Sequence, residues 1–270
     1  MISKRLLILG AFAILPAIAQ VSDASLSPEG MPQLSRHQHA PIRILEQRDD
    51  GTSTSTNWSG YAVTGSSFTG VKGSWIVPTS TCPSGDQYAA FWVGIDGYND
   101  ETVEQTGTDS DCDGSGRPSY YAWYEFYPEP SFTISSLTIT PGDIMSAKVT
   151  YNGTEFTTTI TDETTGKSFT KSATVSGAKR ASADWIAEAP CCTGRGGILP
   201  LADFGTVLFG KDTTGVTGTN EADMGGTIGL IGSFANIFAI TMETSASVLE
   251  AVPSGLSSDG SSFSVVWDSQ

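Results

Sequence analysis

The sequence predicts an all-β fold, and three observations lead there. Strand-like runs bounded by turn residues recur roughly every 10–15 residues from residue 70 onward. Residues 155–173 alternate Thr, Ile and Phe about a Thr165-Gly166 turn, which reads as a hairpin. No long helical periodicity occurs in the chain. A dozen or more strands in about 220 residues imply one sandwich or barrel, since either closes sheet over a single apolar core.

The elements follow in chain order. Met1–Ala19 carries Lys4 and Arg5, an apolar run from Leu6 to Ile18, and small residues at Ala17 and Ala19. This is the pattern of a signal peptide, too short and wrongly flanked for a membrane span. A buried N-terminal helix is the plainer alternative. Residues 20–50 lack sustained periodicity and hold Pro32, Pro41, three arginines and both histidines. Residues 49–56 (DDGTSTST) read as an exposed linker. The expected organisation is a signal peptide at 1–19, a pro-segment and linker at 20–54, and a single β domain at 55–270. A disordered N-terminal tail is the competing reading of 20–54. Strands are expected at 70–77, 88–95, 119–127, 143–151, 236–242 and 262–267, with the hairpin between.

Charge and composition narrow the function. The chain has 14 Lys+Arg against 29 Asp+Glu, a net charge of -15. That balance argues against nucleic acid, whose binding depends on cations meeting phosphates. The imbalance belongs to residues 51–270, which hold 24 acidic and 9 basic residues. His37 and His39 are the only histidines, so residues 40–270 contain none. Once the N-terminal part is removed, Ser-His-Asp and Cys-His catalysis and His-ligated zinc are excluded. No metal and no cofactor is expected. Cys82, Cys112, Cys191 and Cys192 should be bridged in an oxidising compartment, and four cysteines allow three pairings. Cys82–Cys112 is the favoured one, leaving the adjacent pair to a vicinal bridge or free thiols. Asn57-Trp-Ser59 and Asn152-Gly-Thr154 have the glycosylation pattern.

Side-chain parity points to a site. In 119–127, alternation sets Tyr121, Trp123, Glu125 and Tyr127 on one face, too bulky for solvated surface and too charged for a dry core. A binding groove explains it; a structural Glu accepting hydrogen bonds inside the sandwich is the bland alternative. In 182–188, Asp184, Ile186 and Glu188 share a face, and in 101–107 Val103 and Gln105 do. Ser168 and Lys171 match a bare SxxK spacing, a pattern short enough to recur by chance. What survives is chemistry by carboxylates, paired or joined to a neutral partner.

Six segments, in order, resemble the glutamic peptidases (eqolisins): 57–61 (NWSGY), 73–78 (GSWIVP), 92–97 (WVGIDG), 104–107 (EQTG), 122–128 (AWYEFYP) and 183–188 (ADWIAE). The resemblance spans about residues 55–267. It implies a sandwich of two antiparallel sheets, concanavalin- or jelly-roll-like, and an exported acid endopeptidase made as a precursor and insensitive to pepstatin. Matched by motif, the catalytic pair falls on Gln105 and Glu188, with Trp58, Asp96, Trp123 and Glu125 supporting the groove. Two positions depart: Tyr121 stands where Asp is found in the best-known fungal members, and Asp184 where Glu is usual. The partners implied are polypeptide substrates and the chain's own pro-segment, in a secreted monomer with no membrane attachment after signal removal.

An ionised Glu188 would take a proton from water in mild acid, where imidazole is already protonated. Gln105, which does not titrate, would hold the oxyanion at any pH. Arg36, His37, His39, Arg43 and Arg48 could lie over an acidic groove near neutrality and leave when its carboxylates protonate. Two other classes compete: a glycoside hydrolase using Glu125 and Glu188, whose carboxylates must stand about 5–9.5 Å apart, and a carbohydrate-binding module using Trp123 and Tyr121 as a platform.

Overall fold

Alternating runs fold as strands in the structure, a computed structural model that describes residues 33–35, 37–83, 85–191 and 197–269. The expected signal peptide, Arg36 and Cys192 lie outside the described residues. The first strands are β1 (Gln33–Leu34), β2 (Ile44–Gln47), β3 (Thr52–Ser55), β4 (Trp58–Thr64), β5 (Phe68–Ile76), β6 (Ala90–Ile95) and β7 (Val103–Cys112). Then come β8 (Pro118–Tyr127), β9 (Phe132–Thr133), β10 (Ile144–Tyr151), β11 (Phe156–Asp162), β12 (Lys167–Ala173) and β13 (Ser182–Glu188). The last are β14 (Thr206–Phe209), β15 (Glu221–Met224), β16 (Thr227–Leu230), β17 (Ile237–Glu243), β18 (Leu249–Pro253) and β19 (Phe263–Trp267). One helical turn, α1 (Lys211–Thr214), follows β14. Among the described residues no helix is long and apolar enough to cross a membrane.

Two sheets stack into a sandwich. The first runs β9-β8-β7-β6-β13-β4-β17, antiparallel throughout, with β3 joined to β17 in parallel. The second runs β12-β11-β10-β5 and continues from β5 through β14 to β19 and β18. Pairing of β18 with β17 joins the sheets along one side.

In the second sheet alternation is plain. Met145, Ala147 and Val149 of β10 and Phe156 and Ile160 of β11 point into the core, while Thr157 and Thr159 bond Ser172 and Thr170 across the outer face. The edge strand β12 is exposed and carries Lys167 and Lys171, which discourage further pairing. Between the sheets lie Trp75, Phe91, Trp185, Phe204 and Phe209, all buried. Each such side chain contributes about 1.5–3 kcal/mol. The two core indoles keep their N–H groups satisfied, Trp75 on Thr108 Oγ1 at 2.9 Å and Trp185 on the Lys72 carbonyl at 2.8 Å. Cys82 and Cys112 are bridged as expected, and Cys191 is also in a disulfide.

Residues 52–55, expected as linker, are instead strand β3. Backbone pairing with β17 and β2 accepts a Thr/Ser run as readily as an apolar one, and Ser55 Oγ receives the N–H groups of Asn57 and Trp58. The described residues from Gln33 onward belong to the same compact unit as the sandwich. In the first sheet, β6, β7 and β13 are buried along their whole lengths, on both faces. The core covers one face; residues 37–43 cover the other.

Candidate active site

Strand register builds the site. Gln105 of β7 pairs with Glu125 of β8, Gly107 with Trp123, and Asp109 with Tyr121. On the other side of β7, Trp92 of β6 stands opposite Gly107. Glu188 ends β13 opposite Trp58 of β4. Period-2 alternation sends all of these to the outer face of the first sheet. A Cβ on Gly107 would meet the Phe91 carbonyl oxygen at 2.3 Å and Trp92 Cβ at 2.5 Å, so only glycine fits beside the indole.

The face is a groove lined by Trp58, Trp92, Trp123 and Ile186. Its polar groups form three separate hydrogen-bonded clusters. Trp92 Nε1 donates to Glu188 Oε2 at 2.8 Å. Gln105 Nε2 donates to Glu125 Oε2 at 3.0 Å. Asp109 accepts from Trp123 Nε1 and from the Tyr121 hydroxyl, both at 2.7 Å.

An extended stretch of the chain's own N-terminal part fills this groove, held through its main chain. The His39 N–H donates to Glu125 Oε2 at 3.0 Å and its carbonyl accepts from Gln105 Nε2 at 2.6 Å. Trp58 Nε1 donates to the Ala40 carbonyl at 3.0 Å. Asn57 brackets the next turn, donating to the Pro41 carbonyl and accepting the Arg43 N–H. Gln38 exchanges both backbone bonds with Cys191, and the Ile42 N–H bonds the Gly97 carbonyl. His37 Nε2 contacts Asp109 Oδ2.

Burial sets the electrostatics. Glu188 is pushed well above the usual carboxylate range by desolvation and by Glu125 and Asp109, against the relief of His39 and the Trp92 N–H. Glu125 is raised by burial, partly offset by His39. Burial would raise Asp109 too, but the His39 and His37 charges and hydrogen bonds hold it below the usual range. The same partnership overcomes the desolvation of His39 and pushes it up to about 10. Ligand atoms of His37, His39 and Asp109 lie within 4.8 Å of one another, a donor set able to hold a divalent cation. Here the ring nitrogens pair with the carboxylate.

The structure therefore brings together Gln105, Glu188, Trp58, Tyr121, Trp123 and Glu125. Asp96 is elsewhere: at φ 71 it accepts the N–H groups of Lys179, Arg180 and Ala181 and fixes that loop. Asp184 bonds Ser182. Arg48, expected over the groove, pairs with Glu46 on its own exposed segment. Asn57, a sequon by pattern, is buried under residues 40–43, whereas Asn152 is exposed. Sequence reading missed Asp109, although it lies four residues after Gln105 on the same strand face. It also gave no role to Trp92.

The Peptidase A4 family model matches residues 56–258. Aspergillopepsin-2 of Aspergillus niger is 35% identical over 181 residues, covering 57% of this chain and 62% of the relative. Scytalidopepsin B of Scytalidium lignicola is 37% identical over 137 residues, 49% of each chain. The chain thus spans less than two thirds of the length of these curated relatives. Scytalido-glutamic peptidase, solved with a transition-state analog inhibitor, superposes with a TM-score of 0.65 at 27% identity, over 79% of this chain and 98% of that one. Aspergilloglutamic peptidase from Aspergillus niger gives 0.56 at 30% identity, over 67% and 99%. With the family model matched across the sandwich and its motifs gathered on one sheet face, the chain belongs to the Peptidase A4 family, the glutamic peptidases or eqolisins.

Proposed function

We propose that this chain is the precursor of an exported acid endopeptidase that hydrolyses peptide bonds with Glu188 and Gln105. The observation that carries the reading is the groove's occupant, a peptide held by its main chain with one carbonyl on Gln105 Nε2 at 2.6 Å. Main-chain recognition suits a polypeptide of varied sequence and gives no grip on a sugar, so the peptidase reading is preferred to the glycosidase and carbohydrate-binding ones. SCP-B, an eqolisin with a TM-score of 0.58 to this chain, was solved with the tripeptide Ala-Ile-His, which supports the same kind of ligand.

In the proposed reaction an ionised Glu188 takes a proton from water, and the hydroxide attacks the carbonyl carbon. Gln105 N–H stabilises the oxyanion, and Glu188 returns the proton to the leaving amine. Under residues 37–43 the base is held back, because burial disfavours the ionised form of the Glu188 carboxyl. Removing the segment wets the groove and lets Glu188 ionise in acid. Gln105→Ala is expected to lower kcat about 10²–10³-fold, the usual cost of one oxyanion donor. Glu188→Gln should abolish turnover. Casein hydrolysis at acid pH with pepstatin present checks both; full activity in either variant would sink the dyad.

Inhibition by the pro-segment belongs to the same proposal, with its pH dependence set by the groups facing His39. These are Asp109, Glu125, Glu188 and His37, with Tyr121 and Asp111 one contact further out. His39, raised to about 10, supports the closed state fully below 6.5 and loses that support only as pH rises towards 10. Asp109, held low, supports it above 3.8 and loses that support as pH falls. Glu188 and Glu125, raised by burial, also support the closed state in acid, so release is expected only where Asp109 protonates, below about pH 3.8, rather than at the onset of mild acidity. Following maturation of purified precursor at pH 7, 5 and 3 tests this, and equal rates at pH 7 and pH 3 would overturn it.

A further inference from the structure

One side chain in the groove is bound as closely as the main chain. The His39 ring lies flat on the Trp123 indole, with 3.5 Å between centroids and planes 2° apart. Its Nε2 is 3.2 Å from Asp109 Oδ1 and its Nδ1 is 3.3 Å from Glu125 Oε2, with no exposure of any of the three side chains. A neutral ring carries one N–H and would set a lone pair against one of these carboxylates. A protonated ring donates from Nε2 to Asp109 and sets its charge beside Glu125, to which Nδ1 makes no hydrogen bond, and over the electron-rich face of an indole.

We infer that Trp123, Asp109 and Glu125 form a subsite for a protonated imidazole, or a planar cation of similar size, on the residue whose carbonyl Gln105 holds. In the precursor His39 fills it. In the processed enzyme a substrate histidine takes the same place, a half of the inference that rests on the peptidase reading. Tyr121 is a positioning residue: its hydroxyl, with Trp123 Nε1, fixes the Asp109 carboxylate at 2.7 Å on both oxygens.

The test uses the full-length chain carrying Glu188→Gln, so that it does not digest itself, and reads hydrogen exchange of the 38–43 amides at pH 5. His39→Leu and Asp109→Asn are each expected to lower protection about ten- to a hundredfold, the range for one charge-assisted hydrogen bond. Their combination should cost less than the sum of the two, since both remove the His39–Asp109 interaction while Asp109→Asn also loosens His37. Tyr121→Phe should give a smaller loss that disappears in the His39→Leu background. His39→Arg should lose less than His39→Leu. Unchanged protection, or strictly additive losses, would overturn the subsite. Loss of wild-type protection in EDTA would do so too, in favour of a bound divalent cation.

For the substrate half, acid-processed wild-type protein is given peptides differing only in His, Leu or Glu at one position. A kcat/KM for His at least about tenfold above the others, lost in Asp109→Asn, is the expected result. Equal cleavage overturns the substrate half and leaves the peptidase reading standing. No cleavage of these peptides or of casein counts against both, while the exchange experiment still decides the subsite.

Discussion

Glu188 depends on a single indole. The Trp92 N–H is its one hydrogen-bond donor among the described residues, and it favours the ionised carboxylate against a strong desolvation penalty. Trp92→Phe keeps the ring's bulk and removes that donor. In the proposed mechanism the base then ionises at higher pH, so the acidic limb of the kcat/KM profile should move upward. The loss below the limb should be about tenfold, the worth of one charge-assisted hydrogen bond. A profile that does not move would show that the indole only packs. Glu188 and Gln105 were legible because parity on a strand needs only residue spacing, and the family motifs fall on them. Asp109 was hidden by reading the strand only to Gly107, and the docking of His37 and His39 follows from contacts across about 70 residues that no local pattern encodes.

At the scale of elements, strands with an apolar face were readable in both sheets, including β6, β8 and β17 of the first, whereas the full length of β7 and the existence of β3 were not. Strands β10 and β11 have one dry face and one wet face, so their alternation survives in the sequence. Strand β7 is VEQTGTDSDC, buried at every position with polar side chains on both faces, so its polar run past Gly107 hides where it ends. It is held there by backbone pairing to β6 and β8 and by the N–H donors that meet its polar groups. Strand β3 was misread for a similar reason: its Ser and Thr residues earn no place by hydrophobicity, only by ladder bonds to β17 and β2. The tightest joint in this sheet is Gly107 against β6. Gly107→Ala should push Trp92 and the Phe91 carbonyl away and cost about 1–3 kcal/mol of stability, as overpacking does. Urea unfolding measures that, and activity should fall further than stability because Trp92 holds Glu188. A variant as stable and active as the parent would mean that β6 and β7 can separate freely at this point.

For the whole molecule, the excess of carboxylates over cations is buried as well as exposed. Glu104 is raised to about 9, chiefly by desolvation and then by Asp96, and Asp100 is raised to about 7 by the same two causes. Burial also holds Asp184 well above the usual range. Each of these groups binds its proton more tightly folded than unfolded. Their contribution to stability is therefore complete below the unfolded values, 4.5 for Glu104 and 3.8 for Asp100, and is lost as pH rises through 7 and towards 9. The fold should accordingly have its highest Tm in acid and lose it steadily towards pH 8, the reverse of proteins whose carboxylates are stabilised by salt bridges. Scanning calorimetry of the full-length Glu188→Gln chain at pH 4, 6 and 8 checks the slope. Glu104→Gln should flatten it between pH 6 and 8, because a neutral amide of the same shape has no proton to lose. If Tm instead rises with pH in both forms, these carboxyls ionise in the folded state without cost, and acid preference must come from the groove alone.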